Sequence, residues 1–418
     1  MNLRVFVPLA SLFLLGLSPT PPTKENAAPR KPRARELGIT FGGQAGPLDA
    51  ITDVPGVEVG QTTLVSGEGK LQVGKGPVRT GVTAVLPRGR ARLAESVFAA
   101  TYALNGNGEM TGTHWVNESG LLTGPVMLTN TNSVGVVRDA VVSWGVQHGA
   151  AWELALPVVA ETYDGLLNDI DGFHVKAEHA VRAIDGARVG PVAEGNVGGG
   201  TGMICHGFKG GIGTASRRLP DALGGYTLGV LVQCNYGSRS LFSVEGVPVG
   251  EELKDLLPCH TGTEAPSSAF TRDLKPCAQR AEVAPRSVSE GLGSIIVLVA
   301  TDAPLLPHQL GRIARRVPLA IGKMGGLGED SSGDIFLAFS TQPTKSPPGS
   351  RVAQVGSLDN EHLNPLFAAT VQATQEAILN ALLAAETQTG ADGVRVFALP
   401  HDRLIQAMRK YGRLAPAR

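Results

Sequence analysis

The stretch that constrains this chain most is Gly291-Leu-Gly-Ser-Ile-Ile-Val-Leu-Val-Ala300. After Ser294 every residue to Ala300 is apolar, most are β-branched, and glycines lead in. A run this short and continuous reads as a buried β-strand. Ser294 stands at its mouth. Gly293, with no Cβ, takes backbone angles that other residues avoid, so the Gly293–Ser294 peptide bond can be held under strain. The same letters also serve as ordinary punctuation for a turn entering a strand.

The rest of the chain supplies more strands and helices, and no repeat of 20–50 residues is visible. At 418 residues it allows one large domain or two to three ordinary ones. Residues 78–87, 125–134, 156–165, 225–237 and 335–339 read as strands. Residues 134–149, 175–185, 305–317, 360–387 and 402–413 have helical spacing. Polar Gly-rich loops fall at 105–112, 196–202 and 325–334. Glycine is abundant and aromatics are few, which suits tight turns and small-residue packing. On these grounds alone the fold is α/β or α+β with many strands.

Lys plus Arg and Asp plus Glu both number 37, so no electrostatic footprint for nucleic acid or an anionic membrane is present. Residues 1–4 form a short basic start, 5–17 an apolar run too short to span a bilayer comfortably, and Ser18-Pro-Thr-Pro-Pro-Thr23 breaks any helix. Residues 1–22 are therefore expected to be a signal peptide, 23–36 a flexible leader, and the mature protein periplasmic or secreted and free of the membrane. Residues 251–289 change character: charges, prolines and two cysteines appear without periodicity, as in a long exposed connection just ahead of Ser294. Cys205 and Cys234 are expected as buried thiols. Cys259 and Cys277 bracket one loop where export permits a disulfide, and the sequence leaves that pair open.

No Cys/His spacing matches a structural zinc site. The loop at 196–202 lacks the Lys-Ser/Thr of a phosphate-binding loop, and no Gly-x-Ser-x-Gly elbow is present. No metal or organic cofactor is expected. Several polar residues instead gather at strand ends. Asn235 ends an apolar strand, where its amide can donate to a developing oxyanion or merely terminate the strand. Ser332-Gly-Asp334 sets a hydroxyl and a carboxylate two apart before a strand, able to tune a neighbouring hydroxyl or merely to punctuate the loop. Glu161 and Tyr163 share a strand face at period two, one suited to a substrate ammonium and the other to an oxyanion or nucleophile, or both merely lining a solvated strand edge.

Ser294 has chemistry of its own. Its hydroxyl can attack the carbonyl of the strained bond before it, moving the acyl group from nitrogen to oxygen, after which water splits the ester. The second chain then begins at Ser294, and its α-amine, with an ordinary pKa of about 7.7–8.0, stands beside the hydroxyl as a built-in base.

Seven motifs carry a resemblance: Asp53-Val-Pro-Gly-Val-Glu-Val-Gly60, Asn130-Thr-Asn-Ser-Val-Gly135, Ala160-Glu-Thr-Tyr-Asp-Gly165, Leu167-Asn-Asp-Ile-Asp-Gly-Phe173, Val232-Gln-Cys-Asn-Tyr-Gly237, Gly293-Ser-Ile-Ile-Val297 and Ser332-Gly-Asp-Ile-Phe-Leu-Ala-Phe-Ser340. In this order, across almost the whole chain after residue 35, they resemble the DmpA-like β-aminopeptidase family, whose activities include β-peptidyl aminopeptidase and D-aminopeptidase/L-esterase. The resemblance implies an α+β fold, a four-layer αββα sandwich like that of ornithine acetyltransferases and analogous to N-terminal-nucleophile hydrolases. It implies a homotetramer whose protomers are cut into an α chain (37–293) and a β chain (294–418) of one domain. Ser294 then matches the self-processing nucleophile, Asn235 and Tyr163 the oxyanion contacts, Ser332 and Asp334 the pair that tunes the nucleophile, and Glu161 the group binding the substrate's free amine. The family carries Glu where this chain has Asp334, so that contact is expected to be long or water-bridged. The 251–289 segment looks longer than usual.

The expected activity is an exported, self-cleaving serine aminopeptidase acting on short peptides, amides or esters with a free N-terminus and a small, β- or D-configured first residue. An acyltransferase on the same fold and a non-enzymatic exported binding protein are the alternatives.

Overall fold

The computed structural model describes residues 30–149, 156–279, 293–344, 352 and 354–414. The expected signal peptide, leader residues 23–29 and residues 280–289 of the connection before Ser294 lie outside the described residues. In chain order the principal strands are β1 (Glu58–Ser66), β2 (Val78–Leu86), β3 (Val97–Ala103), β4 (Leu121–Leu122), β5 (Val126–Asn130), β6 (Val158–Thr162), β7 (Gly211–Arg218), β8 (Thr227–Asn235), β9 (Ser294–Thr301) and β10 (Ile335–Ser340). They form a four-stranded sheet, β1-β2-β5-β6, and a six-stranded sheet, β4-β3-β10-β9-β8-β7. The principal helices are α1 (Val134–Gln147), α2 (Ala177–Asp185), α3 (Pro307–Ala314), α4 (Val317–Lys323), α5 (Asn364–Ala384) and α6 (His401–Lys410).

Strand β9 shows why the layers stack as they do. All eight of its residues are buried, and side chains alternate between faces. Ile295, Val297 and Val299 pack with Val230 and Val232 of β8 against Leu310, Ile378 and Leu404 from helices α3, α5 and α6. Ile296, Leu298 and Ala300 point the other way, into a core shared with Val85, Leu128, Val158 and Ala160 of the four-stranded sheet. The far face of that sheet puts Val82, Ala84, Met127 and Val159 under Val141 and Trp144 of α1 and Ala183 and Ile184 of α2. A strand apolar on both faces needs cover on both, at about 1.5–3 kcal/mol for each large side chain buried. The result is the αββα sandwich, helices outside and two sheets face to face.

Four expectations are corrected. Residues 33–35, assigned to a flexible leader, are built into the fold: Arg33 pairs with Glu194 at 2.9 Å, the Ala34 amide donates to Asn380 Oδ1 at 3.0 Å, and Arg35 pairs with Glu376 at 2.8 Å. The helix expected over 305–317 stops at Ala314 and restarts at Val317. Pro318 explains the break, since in a continuous helix its ring meets the carbonyl four residues back, that of Ala314. Cys205 and Cys234 are buried as expected but joined, S–S 2.10 Å, rather than free thiols. The 251–289 connection is not wholly exposed. Cys259–His260 is a buried strand pairing with Val394–Val396, and Cys259 is bonded to Cys277, which settles the pair the sequence leaves open.

Candidate active site

Ser294 is the first residue of β9, and alternation puts its side chain on the inner face with Ile296. Two neighbours are set by strand register. On one side β8 runs antiparallel, and Asn235 stands directly opposite Ser294. On the other β10 runs parallel with Ile335 opposite Ile296, so Gly333 falls beside Ser294. The Gly333 N–H donates to Ser294 Oγ at 3.0 Å. Gly333 has to be glycine because the 105–112 loop crosses over it: a Cβ there would lie 2.6 Å from Gly108 Cα. Gly293 is equally constrained, a Cβ on it falling 1.9 Å from the Asn235 carbonyl oxygen.

The Ser332–Asp334 pair is compact. Ser332 Oγ donates to Asp334 Oδ1 at 2.7 Å, and the Ile295 N–H donates to the same oxygen at 3.1 Å. The contact is therefore direct, neither long nor water-bridged: the carboxylate sits at the start of β10, close enough for the shorter side chain to reach. Its other oxygen accepts from Asn105 Nδ2 at 3.2 Å, while the Asp334 N–H donates to Asn105 Oδ1 at 2.6 Å. Burial pushes the Asp334 carboxyl above the usual range, and the bonds from Ser332, Ile295 and Asn105 pull it back. Asn105 is a site residue that the sequence reading misses. It sits in a polar glycine-rich loop without periodicity, and nothing in that loop points to a partner at 334.

Asn235 is held at both ends of its amide. Oδ1 accepts from the Ile204 N–H at 2.7 Å, and Nδ2 donates to the Tyr163 carbonyl at 3.0 Å. That commits one of the two amide hydrogens. Tyr163 follows the end of β6, bringing the four-stranded sheet to the site, and its ring meets Phe270 edge-on at 5.5 Å. Burial raises the Tyr163 hydroxyl above its ordinary value. Glu161 is buried, not on a solvated edge. Its Oε1 accepts from the Glu109 N–H at 2.9 Å and its Oε2 from the Thr131 hydroxyl. Burial pushes its carboxyl up, opposed by those two bonds. A Cβ on Gly108 would lie 3.3 Å from Glu161 Oε1 and 2.9 Å from Gly333 Cα, so Glu161 belongs to the same neighbourhood as Ser294.

The structure thus gathers Ser294, Asn235, Ser332, Asp334 and Glu161 around the junction of β8, β9 and β10 with the end of β6, and ties Tyr163 to it through its main-chain carbonyl, its ring lying against Phe270. The chemistry available is a buried hydroxyl with a fixed donor, flanked by an amide and a hydrogen-bonded serine–carboxylate pair. Among the described residues no group of three or more His, Cys, Asp or Glu side chains could hold a metal ion. No described helix is long and apolar enough to cross a membrane.

The model of peptidase family S58 matches residues 49–396. Over 395 residues the chain is 54% identical to the beta-peptidyl aminopeptidase BapA of Sphingosinicella microcystinivorans, covering 94% of this chain and 96% of that protein. The BapA of Sphingosinicella xenopeptidilytica is 43% identical, with 96% of each covered. Among solved structures, the L-aminopeptidase D-Ala-esterase/amidase of Ochrobactrum anthropi, described as a prototype for the serine aminopeptidases with a variant of the Ntn hydrolase fold, superposes with a TM-score of 0.78. It is 42% identical, with 92% of this chain and 100% of that one covered.

Proposed function

The chain belongs to peptidase family S58 and is an aminopeptidase, and from that premise we propose that it matures by cutting its own Gly293–Ser294 bond and then uses Ser294 as the nucleophile. The observation that carries this reading is the hydrogen bond from the Gly333 N–H to Ser294 Oγ, with Asn235 directly across the ladder. The freed α-amine of Ser294 serves as base. The hydroxyl attacks the carbonyl of the substrate's first residue, and the C–O bond forms as the proton passes to the base. The oxyanion is met by the remaining Asn235 N–H and by Tyr163. Collapse expels the leaving amine, which takes the proton, and water hydrolyses the acyl-enzyme. Ser332 and Asp334 orient the nucleophile. Glu161 receives the substrate's ammonium, since each of its oxygens retains a second lone pair.

The substrates are short peptides, amides or esters with a small first residue, β- or D-configured residues included. The names of the Sphingosinicella and Ochrobactrum relatives support that range. The protein is exported after loss of residues 1–22 and works as a homotetramer.

The test is a denaturing gel with N-terminal sequencing. Wild type gives two chains, the second beginning at Ser294, and Ser294→Ala gives one intact, inactive chain. Active material with no terminus at Ser294 overturns the reading. Product analysis with an added amine acceptor separates hydrolysis from acyl transfer.

A further inference from the structure

Lys209 lies in the two-residue strand Phe208–Lys209, which pairs with Ile204–Cys205 next to the end of β8. It is fully buried, an unusual place for a lysine. Its Nζ donates to three carbonyls: Met203 at 2.8 Å, Gly210 at 3.0 Å and Gly200 at 3.3 Å. Three acceptors converging on one nitrogen call for the ammonium, which alone has three hydrogens to give. The nearby carboxylate is Asp164, whose oxygens are taken up by Asn130 Nδ2 at 3.1 Å and Asn168 Nδ2 at 3.0 Å. Burial draws the ammonium down to about 7, and the Asp164 charge holds it up against that.

The Met203 carbonyl belongs to the same peptide group as the Ile204 N–H, and that N–H donates to Asn235 Oδ1 at 2.7 Å. The Asn235 amide in turn donates to the Tyr163 carbonyl at 3.0 Å. A positive charge therefore stands at the head of a chain of aligned dipoles: ammonium, peptide, side-chain amide. Hydrogen bonds in such a chain polarise one another, and the effect is larger away from water. Drawing electrons toward Oδ1 makes the Asn235 N–H groups better donors.

We propose that Lys209 is a positioning residue for the aminopeptidase reaction, acting through the Met203–Ile204 peptide to hold and polarise the Asn235 amide that faces the oxyanion. The proposal rests on the role given to Asn235 above. It also gives the Gly-rich loop at 196–202 a purpose: the loop carries Gly200 and leads into Met203, two of the three carbonyls the ammonium gathers.

The experiment is a double-mutant cycle of Lys209→Met and Asn235→Ala, with aminoacyl p-nitroanilides as substrate and rates normalised to the two-chain fraction on a gel. Removing one oxyanion donor costs about 10²–10³ in kcat, and weakening it costs a fraction of that. Lys209→Met is expected to lower kcat about tenfold with KM within about twofold, and to change kcat less than about twofold once Asn235 is alanine. Thermal melting is recorded alongside. Full kcat with a lowered melting temperature assigns Lys209 to loop structure alone and overturns the proposal, as do effects that multiply in the double variant. Unchanged kcat in Asn235→Ala overturns the Asn235 role itself, a distinguishable result. Lys209→Gln, which keeps a donor without the charge, is read the same way where the Met variant does not accumulate folded.

Discussion

Asn235 and Ser294 are direct cross-strand partners, the last residue of β8 opposite the first of β9. In antiparallel pairs such residues have Cβ atoms about 4.5–5.5 Å apart, so hydroxyl and amide are brought together by sheet register alone. The same pairing presses Gly293 against the Asn235 backbone.

That contact makes Gly293 the least tolerant position in the site. A methyl group added there would meet the Asn235 carbonyl oxygen at 1.9 Å. Gly293→Ala is expected to displace the bond before Ser294 and to leave most of the protein as a single chain, read as the ratio of cut to uncut bands over time. Wild-type cutting by this variant would show that close packing at 293 is not needed.

Asp334 Oδ1 accepts from both Ser332 and the Ile295 backbone, and Asn cannot accept at every point the carboxylate does. Asp334→Asn is expected to lower kcat roughly a hundredfold, the lower range for positioned acid–base groups. Burial raises the Asp334 pKa, so its ionised form, and activity with it, is lost as pH falls through that raised value. The variant's kcat profile should lack this acid limb. A limb that persists unchanged assigns it to another group.

The Cys259–Cys277 disulfide braces the segment that carries Phe270 against Tyr163. A loop of this size is stabilised by a disulfide by about 3 kcal/mol in the chain-entropy view. Replacing both cysteines by serine is expected to lower the melting temperature and to change KM for bulky first residues more than kcat. Unaltered selectivity across a p-nitroanilide panel would show that bracing Phe270 against Tyr163 does not shape the choice of first residue.

His206 is buried between Tyr236 and Phe242, and burial lowers its pKa to about 4. Between pH 6.5 and 4 the unfolded chain takes up a proton that the native state refuses, so stability falls as pH drops through that window, by up to roughly 3 kcal/mol. Asp164, raised to about 6, works in the opposite sense above its ordinary value near 4. Comparing proteins with and without His206 isolates its share. In the uncut Ser294→Ala background, His206→Asn (a residue that tolerates the positive φ of 50° at 206) should lose less stability than its parent between pH 7 and 4.5. Parallel curves would contradict the assignment.

What could be read from the sequence follows the range of the forces involved. β2, β6, β8, β9 and β10 are legible because their apolar runs report local burial, and Asn235, Ser332 and Asp334 because they stand where those runs begin or end. The order of layers is not in any periodicity and came from the ordered motifs. Asn105 stays hidden because its partner Asp334 is 229 residues away, and Lys209 because a lysine in a Phe-Lys-Gly string looks like a surface residue until three carbonyls fold around it. Arg33–Arg35 read as part of a flexible leader since their partners, Glu194, Asn380 and Glu376, are equally remote.

β9 is an interior strand, laddered to β8 on one side and to β10 on the other. The break proposed just ahead of it would therefore separate nothing. The new end is clamped along its length, and the two pieces persist as one body without a covalent link. Once melted, though, they part, and reassembly becomes an encounter between two molecules. Recovery after heating should then depend on concentration for the cut form alone, leaving the working enzyme protected by the slowness of its unfolding rather than by its capacity to refold.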